Sequence, residues 1–286
     1  MLMRDLFNLF RRLNRSLNKE TVLQPDWSKG SSVEFNREKV DPMEIDTALS
    51  GWFIEETDEL IKGFKIISQD VVLDVGCGDS PVLHFCAMRG AEIIFADIDQ
   101  KKIADMVHLL EGTPARSVKG FVCDACQLPV KDTVAEKIIA TEIMEHVDDP
   151  VALMNELVRV GKPGAQYLIS APDPVSEHLQ KDIAAPAHFE KPNHIRIIER
   201  EAFEQLILDA GLIIEQRKYY GYFWSIWWIL FWTCKQDLHP PWHPILQSWT
   251  QTWELLLKTE QGPKVKEILD NFMPKSQAII ARKPFT

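Results

Sequence analysis

Short apolar runs alternate with helical segments across residues 71–215 of this 286-residue chain. We predict strands at 71–74, 91–96, 121–123, 136–140, 166–170 and 212–215. Between them we predict helices at 81–88, 100–110, 151–160 and 199–210. Strands that alternate with helices form a parallel sheet with helices on both faces. The chain is therefore predicted to be an α/β protein with a doubly wound, mostly parallel sheet.

Two further segments flank this core. Residues 1–45 are predicted to hold an amphipathic helix at 1–19, with five basic groups and one acid, followed by a covering segment. Residues 46–218 are the predicted α/β domain. Residues 219–286 form an extension rich in tryptophan and proline, which includes a final strand.

The strongest local signal is a glycine turn that directly follows the first strand. The run VVLDVGCGD at 71–79 places Gly76 and Gly78 just after a buried strand. Glycines in such a turn let the backbone pass close to a ligand. The third glycine of the dinucleotide fingerprint is missing, because Ser80 and Pro81 follow. The turn therefore disfavours a nicotinamide dehydrogenase, and taken alone it is also compatible with a plain strand-to-helix turn.

Acidic residues follow the next two strands. Asp97 ends the second strand, where a carboxylate can hold both hydroxyls of a ribose by charge-assisted hydrogen bonds. Asp124 follows the third strand, where it can accept a hydrogen bond from the exocyclic amine of an adenine. Together with the glycine turn, these acids indicate a ligand that contains a nucleoside.

Five motifs occur in order along roughly half of the chain. They are DVGCG at 74–78, Asp97-Ile98, Asp124-Ala125 with Leu128-Pro129, EIMEH at 142–146, and KPG at 162–164. They resemble the class I S-adenosylmethionine-dependent methyltransferases, especially the broad ubiquinone- and menaquinone-type group, which is methyltransferase type 11-like. Glu136 and Ala165 stand where the family usually has aspartate and glycine, and neither is expected to remove cofactor binding.

This resemblance implies a Rossmann-like methyltransferase fold with a seven-stranded sheet, and S-adenosylmethionine as the cofactor. The implied cofactor-binding residues are Asp74, Gly76, Gly78, Asp97, Ile98, Asp124, Ala125 and Thr141. By the same resemblance, Asp74 and the two glycines would line the methionine end. Asp97 would then hold the ribose, and Asp124 with Ala125 the adenine.

Candidates for acid–base chemistry follow the fourth strand, where this fold opens toward its substrate. Glu142, Glu145 and His146 have a spacing that would place them on one face of a helical turn. His188 and His194 come later in the chain. An oxygen nucleophile with a high pKa needs a nearby histidine or carboxylate. We therefore predict His146, His194 and Glu142 as catalytic residues, with a purely structural loop histidine as the alternative for His194.

The same residues could also form a metal-binding site. Glu142, Glu145 and His146, with one later histidine, could bind a divalent ion. The pattern resembles the metal-using ubiquinone O-methyltransferases and the small-RNA 3′-terminal 2′-O-methyltransferases. In the wider group, however, the glutamate–histidine pair is common without a metal, so we favour a metal-free site.

The run YYGYFWSIWWILFW at 219–232 is too short to span a bilayer. Its rings are typical of an element at a lipid interface, and the cationic helix at 1–19 could attract anionic headgroups. Equally, both elements could pack on the core, or the rings could line a pocket for a sugar or a flat hydrophobic acceptor. The sequence leaves these alternatives open.

Composition limits the class of acceptor and the cellular location that we predict. A net charge of −10 disfavours a partner with a phosphate backbone, and an odd number of cysteines, five, suits a reducing cytoplasm. We predict a cytoplasmic enzyme that transfers a methyl group to an oxygen of a small-molecule, lipid or glycan acceptor, with peripheral contact to the inner membrane surface. The alternatives are a metal-dependent RNA 2′-O-methyltransferase and a non-catalytic protein that keeps the fold for binding.

Overall fold

The computed structural model of the chain describes residues 42–79, 81–238 and 241–285. The helix predicted at 1–19 lies outside the described residues. In chain order the first elements are α1 (Pro42–Leu49), β1 (Trp52–Ile54), β2 (Glu59–Ile61), β3 (Phe64–Lys65), β4 (Val71–Val75), α2 (Val82–Met88), β5 (Glu92–Asp97), α3 (Gln100–Leu110), β6 (Ser117–Val122) and β7 (Ala135–Thr141). They are followed by α4 (Pro150–Val160), β8 (Gly161–Pro172), α5 (Pro174–Lys181), a 3₁₀ turn (Pro186–Phe189), α6 (Arg200–Asp209), β9 (Ile213–Tyr220), α7 (Tyr222–Thr233), α8 (Pro244–Leu257), α9 (Gly262–Phe272) and β10 (Ser276–Arg282).

The main sheet has seven strands in the order β6-β5-β4-β7-β8-β10-β9. Strands β4 to β8 pair in parallel, and β10 is antiparallel to both of its neighbours, β8 and β9. The predicted doubly wound, mostly parallel sheet is confirmed. The reversed strand is residues 276–282, so the C-terminal end of the chain is built into the sheet between two strands that precede it.

The two edge strands are longer than their apolar runs suggest. Strand β6 begins at Ser117, whereas the sequence predicted residues 121–123, and β9 continues to Tyr220, beyond the predicted end at residue 215. Both strands contain exposed and partly buried positions in place of a continuous buried run. Polar residues such as Lys119 and Arg217 therefore belong to strands that hydrophobicity alone cannot delimit.

The sheet separates two apolar cores. One core lies against α2, α3 and the small β1-β2-β3 sheet, and it includes Phe64, Leu83 and Phe95. The other includes Leu157 of α4 and Ile207 of α6. Strands β4, β5, β7 and β8 are buried over most of their length, which explains their nearly continuous apolar runs.

A third apolar cluster is formed mainly by α7 and α8 in the C-terminal part of the chain. Phe223, Trp227 and Phe231 of α7 are buried against Trp242 and against Trp253 of α8. The Trp227 and Phe231 rings stack at a centroid distance of 5.4 Å. The aromatic run therefore serves mainly to pack this helical cluster.

Two tryptophans of α7 are only partly buried. Trp224 and Trp232 lie at the margin of the cluster, and Trp232 Nε1 donates to Gln180 Oε1 of α5 at 3.1 Å. Among the described residues, no helix has the length and apolar character needed to cross a membrane.

A buried ion group joins α1 to the C-terminal helices. Lys266 of α9 is 1% exposed, and its Nζ lies 2.5 Å from Asp270 Oδ2 and 3.3 Å from Asp46 Oδ1. Asp46 also accepts a hydrogen bond of 2.8 Å from Trp253 Nε1. Burial is the main cause that raises the pKa of Asp46, and Lys266 opposes that shift. The ammonium therefore compensates two buried carboxylates at once.

We predict that Lys266→Met lowers the free energy of unfolding by about 3–5 kcal/mol, because it leaves two buried carboxylates without a cation. Chemical denaturation followed by circular dichroism measures the change. Lys264→Met is the matched control, since Lys264 is an exposed residue of the same helix and its loss should cost within about 0.5 kcal/mol. Equal stability of the two variants would contradict the prediction.

Candidate active site

The predicted cofactor residues lie along one edge of the sheet. Asp74 is in β4, Asp97 ends β5, Asp124 follows β6 and Thr141 ends β7. These four strands are parallel neighbours, with Asp74 paired to Phe95 and Asp97 paired to Val122. Parallel strands end at a common edge, and ligands of open α/β sheets bind there. The structure therefore brings together acids that are up to fifty positions apart in the sequence.

The glycine turn is held by Asp97. Gly78 N donates to Asp97 Oδ2 at 2.9 Å, and Asp99 N donates to Asp97 Oδ1 at 2.9 Å. Each oxygen keeps a second lone pair, so the carboxylate can still accept from a pair of hydroxyls. Asp97 is 8% exposed, which makes it a rigid acceptor at the mouth of the turn.

Gly76 allows the turn to approach the residues after β7. Its φ is +72°, and a Cβ at this position would lie 2.5 Å from Ile143 Cδ1. Any other residue would be both strained and in collision with Ile143. The glycine turn is thus in direct contact with the segment that carries Glu142 and Glu145.

Asp74 is a buried carboxylate, and one of its oxygens lacks a partner among the described residues. It is 1% exposed, and its Oδ1 has no hydrogen-bond partner in the described part of the chain. Burial, followed by the charge of Asp97, raises the pKa of Asp74 to about 8. An unpaired carboxylate at this depth fits a ligand that carries a cation, such as the ammonium group of a methionine moiety.

The part of the edge that is predicted to face the adenine is more open. Asp124 is exposed, and its Oδ1 accepts from Cys126 N at 2.8 Å, which fixes the turn after β6. Ala125 is partly buried within this turn. Ile98 is 80% exposed, although it is apolar and directly follows Asp97. An exposed aliphatic side chain at this position could contact the face of a nucleobase.

The segment after β7 does not form the helical turn that the spacing suggested. Glu142 directly follows the strand with a φ of +54°, while His146 N donates to Ile143 O at 3.0 Å in a tight turn. Glu142 therefore faces elsewhere: Ser170 Oγ donates to its Oε1 at 2.9 Å, and Lys275 Nζ pairs with its Oε2. The prediction of one shared helical face is wrong, because the left-handed residue turns the chain at the strand end.

Glu145 and His146 lie together beneath this turn. Glu145 is 1% exposed, and neither of its oxygens has a hydrogen-bond partner among the residues that the structure describes. Burial and then the Glu142 charge raise the pKa of Glu145 well above its ordinary value. His146 Nδ1 lies 3.0 Å from Asn193 O and its Nε2 lies 3.6 Å from Glu145 Oε1. Because Nδ1 faces a carbonyl, it carries the proton and Nε2 has a free lone pair.

His194 completes the group from the loop that precedes α6. It is 8% exposed, and its Nδ1 lies 2.7 Å from Glu177 Oε2 of α5. The His188 ring packs against it at a centroid distance of 4.5 Å. Burial, and next the Lys275 charge, lower the pKa of His194 well below its ordinary value, so the ring is neutral at pH 7.

Among the residues that the structure describes, two sets of three side chains have the proximity that a metal ion requires. They are Glu145 with His146 and His194, and Glu177 with His188 and His194, each with one potential ligand atom per residue and all atoms within 4.8 Å. Two of the predicted metal ligands, Glu145 and His146, belong to the first set. Glu142 belongs to neither set, since Lys275 and Ser170 occupy its oxygens.

Three residues that contact these histidines and glutamates could not be predicted as site residues from the sequence. Glu177 lies in an ordinary amphipathic helix, Ser170 is inside a buried strand, and Lys275 precedes β10, more than a hundred residues after Glu142. Strand pairing brings Lys275 close to Glu142, because Asp173 N donates to Lys275 O at 2.8 Å next to the β8–β10 ladder. Only a prediction of the antiparallel insertion could have found it.

The fold and this edge define a class of protein: one with a Rossmann-like methyltransferase fold and a glycine turn at the carboxyl edge of its parallel strands. Residues 73–169 match the family described as a methyltransferase domain.

Several curated proteins are similar to this chain. A probable S-adenosylmethionine-dependent methyltransferase of Mycolicibacterium smegmatis is 24% identical over 144 residues, which are 50% of this chain and 52% of that protein. A ubiquinone biosynthesis O-methyltransferase of Bordetella parapertussis is 32% identical over 128 residues, which are 42% and 47% of the two chains. The chain thus spans about half the length of the curated relatives it matches.

Solved structures share the fold at low identity. A putative methyltransferase from Bacillus halodurans superimposes with a TM-score of 0.52 at 19% identity, over 77% of this chain and 94% of that one. Geranyl diphosphate methyltransferase in complex with S-adenosylmethionine gives a TM-score of 0.53 at 13% identity, over 85% of each chain. The [4+2]-cyclase SpnF, with a TM-score of 0.51 at 16% identity, covers 99% of this chain and 95% of its own. These likenesses establish the fold and leave the reaction to be argued from the site.

We predict that the affinity for S-adenosylhomocysteine rises close to tenfold between pH 6 and pH 7 and levels off above about pH 8. Below its pKa of about 8, Asp74 is protonated in the free protein and cannot pair with the ligand ammonium group. Calorimetric titrations across this range measure the effect. Asp74→Asn should abolish the rise, whereas Asp70→Asn, at the opposite end of β4, should retain it. A wild-type affinity that is constant from pH 6 to pH 8 would disprove this role for Asp74.

Proposed function

We propose that this protein catalyses S-adenosylmethionine-dependent methyl transfer to an oxygen atom of its acceptor. The observation that carries the proposal is the contact between two half-sites. The glycine turn follows Asp74, whose Oδ1 has no hydrogen-bond partner among the described residues. The turn touches Ile143, which lies between Glu142 and Glu145 of the buried histidine–carboxylate cluster.

The glycine turn and the acids along the sheet edge, which we call the cofactor half, bind and orient the cofactor. When bound, S-adenosylmethionine supplies an electrophilic methyl group on a sulfonium. In this proposal Asp74 accepts from the ammonium of the methionine end, and Asp97 accepts from the ribose hydroxyls. Ile98 and Ala125 would contact the adenine, and the exposed Asp124 would accept from its amine. Thr141, at 8% exposure, ends the strand next to the glycine turn.

The buried histidine–carboxylate cluster, which we call the acceptor half, supplies a base. His194 is neutral and buried, and its Nδ1 is engaged by Glu177, which leaves Nε2 as the nitrogen that can take a proton. As the new carbon–oxygen bond forms and the carbon–sulfur bond breaks, the acceptor hydroxyl proton passes to His194 Nε2. The neighbouring carboxylates favour the imidazolium that results. His146 has the same arrangement, with its Nδ1 on a carbonyl, and is the second candidate for this role.

The acceptor is proposed to be a small molecule, a lipid or a glycan. The edge of α7 lies beside the cluster, with Trp232 at 5.1 Å from the His188 ring, so an aromatic surface borders the acceptor half. A ubiquinone biosynthesis O-methyltransferase is among the similar proteins, which supports a small hydroxylated acceptor. Contact with the inner membrane surface stays a prediction, because it depends on residues 1–19, outside the described chain.

We predict that wild-type protein binds S-adenosylmethionine and S-adenosylhomocysteine in calorimetric titration, and that Asp97→Ala weakens both affinities by a factor of at least about 100. Hydrogen bonds to a charged group contribute roughly 1.5–3 kcal/mol each, and the ribose would lose two of them. Asp99→Ala is the matched control. Asp99 is an exposed acid two residues away that caps α3 by accepting from Lys101 N at 2.8 Å, so its loss should leave both affinities nearly unchanged.

The variants must first be compared by thermal melting, because Asp97 also holds Gly78 N. Folded wild-type protein that binds neither ligand would overturn the proposed function. Such a result would favour the alternative of a non-catalytic binding protein.

Binding of a divalent cation is the second candidate function of the acceptor half. Glu145, His146 and His194 offer a carboxylate and two imidazoles within 4.8 Å, and the oxygens of Glu145 lack partners among the described residues. This donor set suits zinc, iron or manganese. A metal would hold the acceptor oxygen and lower its pKa, which is the chemistry that the RNA 2′-O-methyltransferase alternative requires.

We predict that protein dialysed against EDTA retains its turnover, measured as S-adenosylhomocysteine formed with a panel of hydroxylated small molecules. His194→Gln should reduce that turnover at least about 100-fold, because general bases typically contribute this much. Elemental analysis of the untreated protein provides the independent measurement. One tightly bound ion per chain, lost in Glu145→Gln and needed for turnover, would replace the metal-free mechanism by the metal-dependent one.

A further inference from the structure

We infer that Glu177 is the positioning residue of the acceptor half: it fixes the tautomer and orientation of His194 so that Nε2 faces the reacting oxygen. The inference deepens the proposed function and rests on it. Glu177 has no motif in the sequence, and the evidence for its role is its geometry.

The pair is buried and short. Glu177 is 3% exposed, His194 is 8% exposed, and Glu177 Oε2 lies 2.7 Å from His194 Nδ1. A carboxylate oxygen at this distance accepts the Nδ1 proton, so the lone pair of the ring resides on Nε2. The arrangement has the same logic as a histidine whose far nitrogen is held by a buried carboxylate in acyl-transfer enzymes.

Glu177 is itself rigidly placed. It belongs to the first turn of α5, and Glu177 N donates to Asp173 O at 3.1 Å. Asp173 caps the helix by accepting from Val175 N at 3.1 Å, and its other oxygen accepts from Arg200 Nε at 2.7 Å. The helix therefore starts directly after β8, which ties the position of Glu177 to the sheet.

The ring of His194 is confined on its other sides. The His146 ring meets it edge-on at a centroid distance of 5.1 Å, and the His188 ring is tilted against it at 4.5 Å. The backbone of the loop is also fixed, since His194 N donates to His188 O and Ile195 N donates to Glu145 O, both at 3.0 Å. With the ring held in place, the proton on Nδ1 is the remaining variable, and Glu177 determines it.

Charge explains why a carboxylate is needed here. Lys275 pairs with Glu142 and, after burial, is the next cause that lowers the pKa of His194. An imidazolium formed beside this ammonium would be disfavoured unless a negative group lay close to it. Glu177 is that group, because its oxygen is the one in contact with the ring. The other titratable groups around the ring are His146, His188, Glu142 and Glu145.

The test measures the tautomer of His194 directly. Protein labelled with ¹⁵N in its histidines is examined by long-range ¹H–¹⁵N correlation at pH 7, and the His194 signals are assigned by their loss in His194→Gln. In wild-type protein we expect a proton on Nδ1 and none on Nε2. In Glu177→Met, which has similar volume and no acceptor, the proton should move to Nε2. Glu177→Gln, whose amide oxygen can still accept, should restore the Nδ1 proton.

The surface pair of Glu199 and His178 is the matched control. Their Oε1 and Nε2 atoms are also 2.7 Å apart, but both side chains are more than half exposed. Glu199→Met should leave the His194 signals and the turnover unchanged. Glu177→Met should lower kcat about 100-fold or more with little change in the KM of the acceptor, because the base would carry its proton on the wrong nitrogen.

The outcomes separate the two proposals. A wild-type His194 with its proton on Nε2, or a Glu177→Met spectrum identical to wild type, overturns the role of Glu177 whatever the activity. Failure of the wild-type protein to bind S-adenosylhomocysteine overturns the proposed function and leaves the tautomer result to be judged on its own. Unchanged S-adenosylhomocysteine affinity in Glu177→Met is expected, since Glu177 lies outside the cofactor half.

Discussion

The carboxyl ends of parallel strands must meet at one edge of a sheet, and this constraint organises the whole site. Because β4, β5, β6 and β7 run in the same direction, the acids that lie in or follow them meet along one edge of the sheet. The same edge continues to β8, where Ser170 and the residues after β7 form the acceptor half. The contact of Gly76 with Ile143 joins the two halves, and it requires a residue that has no side chain.

Charge is the second constraint at this edge. Glu142, Glu145 and Glu177 are all buried, and Lys275 is a cation that pairs with the first of them. Burial alone would lower the pKa of Lys275, but its carboxylate neighbours outweigh that effect and raise it, so the ammonium stays charged. Glu145 is left without a hydrogen-bond partner among the described residues, and its raised pKa relieves the excess of negative charge. Buried groups that are held in such a state are typical of sites that bind or react.

The C-terminal part of the chain contributes to both fold and chemistry. Strand β10 inserts between β8 and β9 and brings Lys275 to Glu142, while α7 covers the neighbouring region with its aromatic side chains. The composition of α7 predicted three alternatives: lipid contact, a substrate wall or core packing. Burial of Phe223, Trp227 and Phe231 shows that most of its rings pack on α8 and on each other. Trp232 is the ring that reaches the cluster, through His188.

The sequence by itself determined the sheet, the glycine turn and the acids along its edge, because each of these depends on local patterns: apolar runs, glycine positions and strand ends. It also predicted His146, His194 and Glu142 as catalytic candidates, and Glu142, Glu145 and His146 as a possible metal site. Only the tertiary structure decided how they are used. The left-handed residue at Glu142 turned one predicted ligand toward Lys275, and the helix after β8 brought Glu177 to His194. Those contacts join residues that are 17 and 133 positions apart, and no local pattern records them, since they depend on strand order and on the packing of separate elements.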